Sequence, residues 1–302
     1  MCIRDRLCIS LATCLAGCSP SANEKRTNKP IVLASHSILA DIARQVAGEE
    51  FQIDSIIPDG IDSHSYQPTP QDAARILSAD VLILNGLGME PFLKSILAEV
   101  KPTTLIIIAT DGIESRKPVS SGSTIVTEPD PHFWMDPIFV KHAAKNIESG
   151  FEKIDPKNKS TFAENLNGFD VQLDTLDQWI KDSLSTVPIE KRLIVTNHET
   201  LGYFADRYGF TIAGTVLEGS SSDSSVSSKH IQELVTLIKD RGIPVMFIEP
   251  TDDVKIAEQV AAESGIILET GLITHGLILN GISMDYIGMM KHNVELIANL
   301  GK

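Results

Sequence analysis

Ile31-Val32-Leu33-Ala34-Ser35-His36-Ser37-Ile38-Leu39-Ala40-Asp41-Ile42-Ala43 is the stretch on which the fold turns. Residues 31–35 read as a strand, a helix follows near 37–47, and Gly48 is placed to stop it. The alternation then recurs. A strand over 51–57 leads through a loop to a helix at about 70–78, and 81–85 and 105–109 are continuous apolar runs. Such runs mark strands buried on both faces. Residues 137–154 look helical, and the second half repeats the plan with strands at 193–196, 210–216, 245–248 and 266–268. Strands alternating with helices imply parallel sheets with right-handed crossovers, so the fold class is α/β.

Between the halves, Phe162, Leu166, Phe169, Leu173, Leu176 and Ile180 recur at intervals of four and three, the stripe of a one-sided helix. Over 156–186 that helix would be on the order of 45 Å long at 1.5 Å per residue. Asn167-Gly168 offers a turn and hence a helical hairpin instead. The stripe keeps its phase across that pair, which favours one rigid helix. The expected organisation is a lobe over 31–155, a linking helix over 156–187 and a second lobe over 188–302. Each lobe holds a mostly parallel sheet flanked by helices.

Five of the eight histidines stand where a strand runs into a loop: His36, His64, His132, His198 and His275. Ligand crevices of open parallel sheets lie beyond the carboxyl ends of the strands. Imidazole is the commonest transition-metal ligand, so a metal site in the cleft between the lobes is the leading reading. The lobes also share a short repeat. Ser35-His36-Ser37-Ile38-Leu39-Ala40 parallels Asn197-His198-Glu199-Thr200-Leu201-Gly202, by common descent or by convergence of two strand–helix turns. His142, His230 and His292 fall inside helical stretches and read as surface residues.

The apolar run over 7–16 is too short to span a bilayer, which needs about 20 residues. It follows Arg4 and Arg6 and reads as a secretory signal over 1–17. Its ending, Leu15-Ala16-Gly17-Cys18, resembles the bacterial lipobox, which implies acylation of Cys18 and a flexible tether over 18–30. Cys2, Cys8 and Cys14 would leave with the signal, so no disulfide framework remains and metal ligands must be nitrogen or oxygen. Without Arg4, Arg6 and Asp5 the 26 basic and 40 acidic side chains become 24 and 39, a net charge of −15. That balance argues against a nucleic-acid partner. The serine-rich stretch 220–228 carries no assigned chemistry.

The loop Gly60-Ile61-Asp62-Ser63-His64-Ser65-Tyr66-Gln67-Pro68-Thr69-Pro70-Gln71-Asp72 is followed by Asp130-Pro131-His132-Phe133-Trp134-Met135-Asp136-Pro137 and by Val195-Thr196-Asn197-His198-Glu199. In this order and spacing, from the lipobox to the C-terminus, the chain resembles the metal-specific solute-binding lipoproteins that serve bacterial ABC importers for zinc, manganese and iron. Phe247-Ile248-Glu249-Pro250 and the helix over 286–293 fit the same family. The resemblance implies His64, His132 and His198 as ligands between two lobes joined by a rigid helix. At the fourth position the chain departs from the family's pattern, with His275 in Leu272-Ile273-Thr274-His275-Gly276-Leu277 where an aspartate is usual. Asp285 is a weaker substitute for that aspartate, and His36 a further imidazole near the cleft. Asp62, Asp136 and Glu199 are candidate acceptors for the outer N–H of bound imidazoles. Trp134 and Tyr66 are expected to pack against the ligand loops.

The resemblance implies a monomeric, lipid-anchored receptor at the periplasmic or extracytoplasmic face of the cell envelope, with an ABC permease as its partner. No catalysis is expected. Four imidazoles favour Zn2+ over Mn2+ or Fe2+, which prefer more oxygen. Residues 111–128 hold no histidine, although many zinc-specific relatives carry a histidine-rich loop there. The competing readings are a zinc-dependent hydrolase with Glu199 as base, for which no H-E-x-x-H helix is present, and a surface adhesin.

Overall fold

Two four-stranded parallel sheets organise the chain, and in each the strand that comes first in sequence lies inside the sheet. The computed structural model describes residues 29–116, 129–217, 226–249 and 254–301. The signal, Cys18, nearly all of the tether, and the serine-rich stretch up to residue 225 lie outside the described residues.

The first lobe runs β1 (Ile31–Ala34), α1 (Ser37–Ala47), β2 (Gln52–Ser55), α2 (Pro70–Ser78), β3 (Val81–Leu84), α3 (Lys94–Leu97), β4 (Leu105–Ile108) and α4 (Pro137–Ile154). Then comes α5 (Lys159–Leu184), a single helix of 26 residues. The second lobe runs β5 (Leu193–Thr196), α6 (Gly202–Tyr208), β6 (Thr211–Thr215), α7 (Ser228–Arg241), β7 (Val245–Phe247), α8 (Val254–Ser264) and β8 (Ile267–Glu269). A small hairpin, β9 (Ile278–Leu279) and β10 (Ile282–Ser283), precedes α9 (Tyr286–Ala298).

The sheet orders are β2-β1-β3-β4 and β6-β5-β7-β8, the same topology twice. Strand order therefore reverses between β1 and β3, and again between β5 and β7. Crevices for ligands form at such reversals, outside the carboxyl ends of the strands. Val81 to Leu84 are all buried, as their unbroken apolar run requires. The expected strand over 51–57 is shorter in its ladder. Phe51 goes into the core, and Ile56 and Ile57 continue as loop whose N–H groups donate to Ala34 and Ser35 carbonyls at 2.8 and 3.0 Å.

The α5 stripe is buried throughout, from Phe162 to Leu184, and it packs on α1 and α4 of the first lobe and on the C-terminal α9. Each large side chain in it contributes roughly 1.5–3 kcal/mol by burial. Gly168 lies within the helix, so the possible turn at Asn167-Gly168 is overridden by tertiary packing of the stripe. Its Cβ position faces open space, so glycine is not required there.

Two features differ from the sequence reading. Asn280 and Gly281 both have positive φ, 51° and 79°, and join β9 to β10 antiparallel. That is the geometry for which an Asn-Gly pair is selected in two-residue hairpins. His230 is buried, not on the surface, because its Nε2 hydrogen-bonds the Thr215 carbonyl at 2.8 Å and ties α7 to β6. His292 is half-buried and His142 exposed, and each ring makes the same kind of bond, to the Gly271 and Asp111 carbonyls respectively.

Candidate metal centre

Four loops, two from each lobe, bring His64, His132, His198 and His275 together. His64 lies between β2 and α2, where Asp62 Oδ1 accepts its backbone N–H at 2.9 Å. The rest of that loop is stapled to α2 through Asp72, which accepts from Tyr66 Oη at 2.7 Å and from the Thr69 backbone at 2.9 Å. Thr69 and Asp72 form a reciprocal capping box at the α2 N-terminus.

His132 begins a short 3-10 turn over Phe133–Met135. Asp130 Oδ1 takes both its backbone N–H at 3.0 Å and its Nδ1 at 2.8 Å. With the proton on Nδ1, the Nε2 lone pair faces the cluster. Next to it, Trp134 Nε1 donates to the Thr274 carbonyl at 2.8 Å, and Tyr286 Oη donates to the Trp134 carbonyl at 2.7 Å. These two bonds fix the loop before His275 against the first lobe.

His198 stands two residues beyond β5, where Thr196 Oγ1 and Thr200 N–H both donate to its carbonyl. Its Nδ1 is buried with no hydrogen-bond partner among the described residues. His275 is supported from the other lobe, its Nδ1 lying 3.2 Å from Ser63 Oγ. Three of the four rings are buried and His64 is half-buried.

The rings form a nearly regular figure. Nε2 of His64 lies 3.1 Å from Nε2 of His132, and Nε2 of His275 lies 3.1 Å from Nε2 of His198. All six centroid separations among the four rings fall between 5.1 and 5.4 Å. Four points with equal separations are the corners of a tetrahedron. Imidazoles held at about 2.0–2.1 Å from one zinc ion, each ring centre roughly 1.2 Å behind its nitrogen, would show separations of about 5.2 Å. Burial pushes the His64 imidazolium down to about 4, helped by neighbouring His132. Burial also holds His198 and His275 well below the ordinary range, with further lowering by the other histidines. Three of the four imidazoles are thus held in the neutral form, the one a metal requires.

The remaining candidates are placed elsewhere. His36 is buried at the N-cap of α1, where its Nδ1 accepts from Leu39 N–H at 3.4 Å and its Nε2 meets Asn85 Oδ1 at 3.2 Å. It lies against Trp134 outside the four-ring group. Asp62 serves the backbone of His64, as above. Asp136 caps α4 by accepting from Ile138 N–H at 2.8 Å and pairs with Arg207, and burial pushes its carboxyl up to about 6. Glu199 is buried and paired with Arg116. Asp285 caps α9 by accepting from Gly288 N–H at 2.7 Å and is exposed, away from the cluster.

Asp130, Ser63 and Glu249 are near the cluster and were not singled out by the sequence. Asp130 and Ser63 are each within two residues of a histidine of the cluster, a signal that was legible. Glu249 follows β7, with Oε1 3.8 Å from His275 Nε2, and only the fold brings it there. Glu249 and His275 line one pocket with Gly60 and Ile61 on one side and Leu279 and Asn280 on the other.

The family described as "Zinc-uptake complex component A periplasmic" matches residues 32–300 of this chain. The zinc-binding protein TroA of Treponema pallidum (strain Nichols) is 27% identical over 98% of this chain and 98% of its own length. The manganese-binding lipoprotein MntA of Halalkalibacterium halodurans is 30% identical over 87% of this chain and 86% of its own. A solved structure of a metal-free mutant periplasmic metal-binding protein from Candidatus Liberibacter asiaticus has a TM-score of 0.82 at 28% identity. That likeness covers 91% of this chain and 100% of the other.

Proposed function

The chain belongs to the family of zinc-uptake complex component A periplasmic proteins, and from that membership we propose that it captures a divalent metal outside the cytoplasm and delivers it to an ABC permease. The observation that carries this reading is the near-regular tetrahedron of His64, His132, His198 and His275. Zinc is the preferred cargo. Its filled d shell accepts four nitrogens in a tetrahedron, whereas manganese favours oxygen and lies at the weak end of the divalent order. Four protein ligands leave no open position for activating water, so the chain acts as a carrier and not as a hydrolase. The ligands come from both lobes, so bound metal stabilises the closed arrangement by its higher affinity for that state.

No described helix is long and apolar enough to cross a membrane. Attachment is assigned to acylated Cys18, with the globular body tethered as a monomer at the extracytoplasmic face. Relatives named for zinc and for manganese both support a metal receptor, and the choice of zinc rests on His275 completing an all-imidazole shell.

The test is metal content and calorimetric competition on purified, chelator-stripped protein. Zinc should bind at one site per chain and outcompete manganese. A hundredfold excess over the dissociation constant should add about 2.7 kcal/mol of stability by mass action. The variant lacking His64, His132 and His198 together should keep its fold and lose that gain. Equal binding of manganese and zinc by the wild type would end the zinc assignment, and a zinc-dependent gain in the triple variant would end the site assignment.

A further inference from the structure

The cleft holds a buried guanidinium that touches both the carboxylate orienting His132 and the residue that follows His198, and we infer that Arg116 is a positioning residue for metal retention. The inference rests on reading the four histidines as a metal centre. Arg116 follows β4 in the first lobe, and its side chain is 10% exposed. Its Nη1 donates to Asp130 Oδ2 at 3.0 Å and also to Glu199 Oε1, while its Nε donates to Asp206 Oδ2 at 2.9 Å. Asp130 belongs to the first lobe and turns its other oxygen to His132. Glu199, beside His198, and Asp206, in α6, belong to the second. One side chain therefore fixes the carboxylate that orients a cluster histidine in one lobe and grips two carboxylates of the other.

A second observation points to the same side chain. A Cβ at Gly202, the first residue of α6, would stand 2.0 Å from Arg116 Nη1 and 2.8 Å from Asp130 Oδ2. The guanidinium lies where any other residue would place a side chain. Tyr203 closes the arrangement, its hydroxyl donating to the Asp130 carbonyl at 3.0 Å and accepting from Arg116 N–H at 3.4 Å.

The consequence is for release. Asp130 and Glu199 accept from the same nitrogen across the lobe boundary, so without the guanidinium two buried carboxylates lose the cation they share. Like charges there oppose closure, and Asp130 loses the donor that sets its plane. Both effects shorten the residence of metal in the cleft. Loss of such an outer partner typically costs 10–100-fold in metal affinity.

Stopped-flow transfer of zinc from the loaded full chain to an excess of chromophoric chelator tests this, using wild type, R116Q, R116K and G202A. R116Q and G202A should release zinc roughly 10–100-fold faster than wild type, with association rates changed much less. R116K should fall between, since an ammonium keeps the charge but lacks the planar fork that serves three carboxylates. G202A removes no charge and displaces the guanidinium, so it tests position even where R116Q fails to fold. Release at the wild-type rate from G202A and from folded R116Q would overturn the role of Arg116. A wild type that takes up no zinc would overturn the metal reading itself.

Discussion

His36 and His198 stand at the same corner of two copies of one topology, each two residues beyond the inner strand that opens its sheet. Their fates differ because the following helices start at different distances. In the first lobe α1 begins at once at Ser37, so His36 becomes its N-cap and both ring nitrogens are used within that lobe. In the second lobe His198 to Leu201 intervene before α6 at Gly202, and the ring reaches the cleft with Nε2 facing His275. The repeat also differs at its sixth residue. Ala40 is buried in the core, whereas the matching Gly202 makes room for Arg116 and Asp130. A shared strand end supplies a place for a histidine, and the start of the next helix decides what that histidine does.

The largest effect should separate these two corners directly. His198→Ala should weaken zinc roughly a hundredfold or more, since a structural four-ligand zinc site holds about 10–16 kcal/mol and a quarter of it exceeds 2 kcal/mol. His36→Ala should leave zinc affinity within about threefold and instead cost about 0.5–2 kcal/mol of fold stability, the range for a lost N-cap. Chelator competition and denaturant melts on both variants check this. Equal losses of zinc affinity would break the comparison.

Acid should act on both corners but release metal from one. Burial holds His36 and His64 at about 4, below the unfolded value near 6.5. Protons therefore favour the unfolded or open chain. The stability these groups contribute is complete above about pH 6.5 and is lost as pH falls from there toward 4. In the same window protons should displace zinc from the four imidazoles. His36→Ala should show a shallower fall of melting temperature with acid while releasing zinc at the wild-type pH. Zinc occupancy unchanged down to about pH 4 would contradict the all-imidazole shell.

The smallest effect sharpens the comparison by changing the partner that His198 meets. His275→Asp replaces a neutral nitrogen by an anionic oxygen, which should narrow the zinc-over-manganese preference by about tenfold, or ~1.4 kcal/mol. Competition calorimetry with both ions reads the ratio. An unchanged ratio would mean that His275 does not decide selectivity.

Much of the fold was legible in the residues. The unbroken apolar run at Val81–Leu84 marks a buried strand, and the α5 stripe holds its phase through Asn167-Gly168. The similar run at Leu105–Ile108 is not buried on both faces, because β4 is an edge strand and leaves Ile106 and Ile108 exposed. The Asn280-Gly281 pair is itself a hairpin signal, but the strands it joins are two residues each and carry no periodicity to frame it. The burial of His230 is hidden from the sequence for a different reason. A lone polar residue in a helix looks exposed unless its partner is known, and its partner is the Thr215 carbonyl of β6.

The sequence by itself determined the α/β alternation, the one-sided linking helix and the set of histidines at strand ends. Those properties reside in neighbouring residues, where periodicity and turn chemistry act. The motifs implied which histidines belong together, and only the tertiary structure decided how they converge and what supports them. Ser63 supports His275 across 212 positions, Trp134 bonds the Thr274 carbonyl across 140, and Arg116 reaches Glu199 across 83. Such contacts depend on how the two lobes are set against α5 and α9. His36 and His198 share one offset from one strand type, so that offset alone does not distinguish them, whereas the motif around His198 does. The difference lies in where the next helix begins and in which side chains of the opposite lobe occupy the space in front of it.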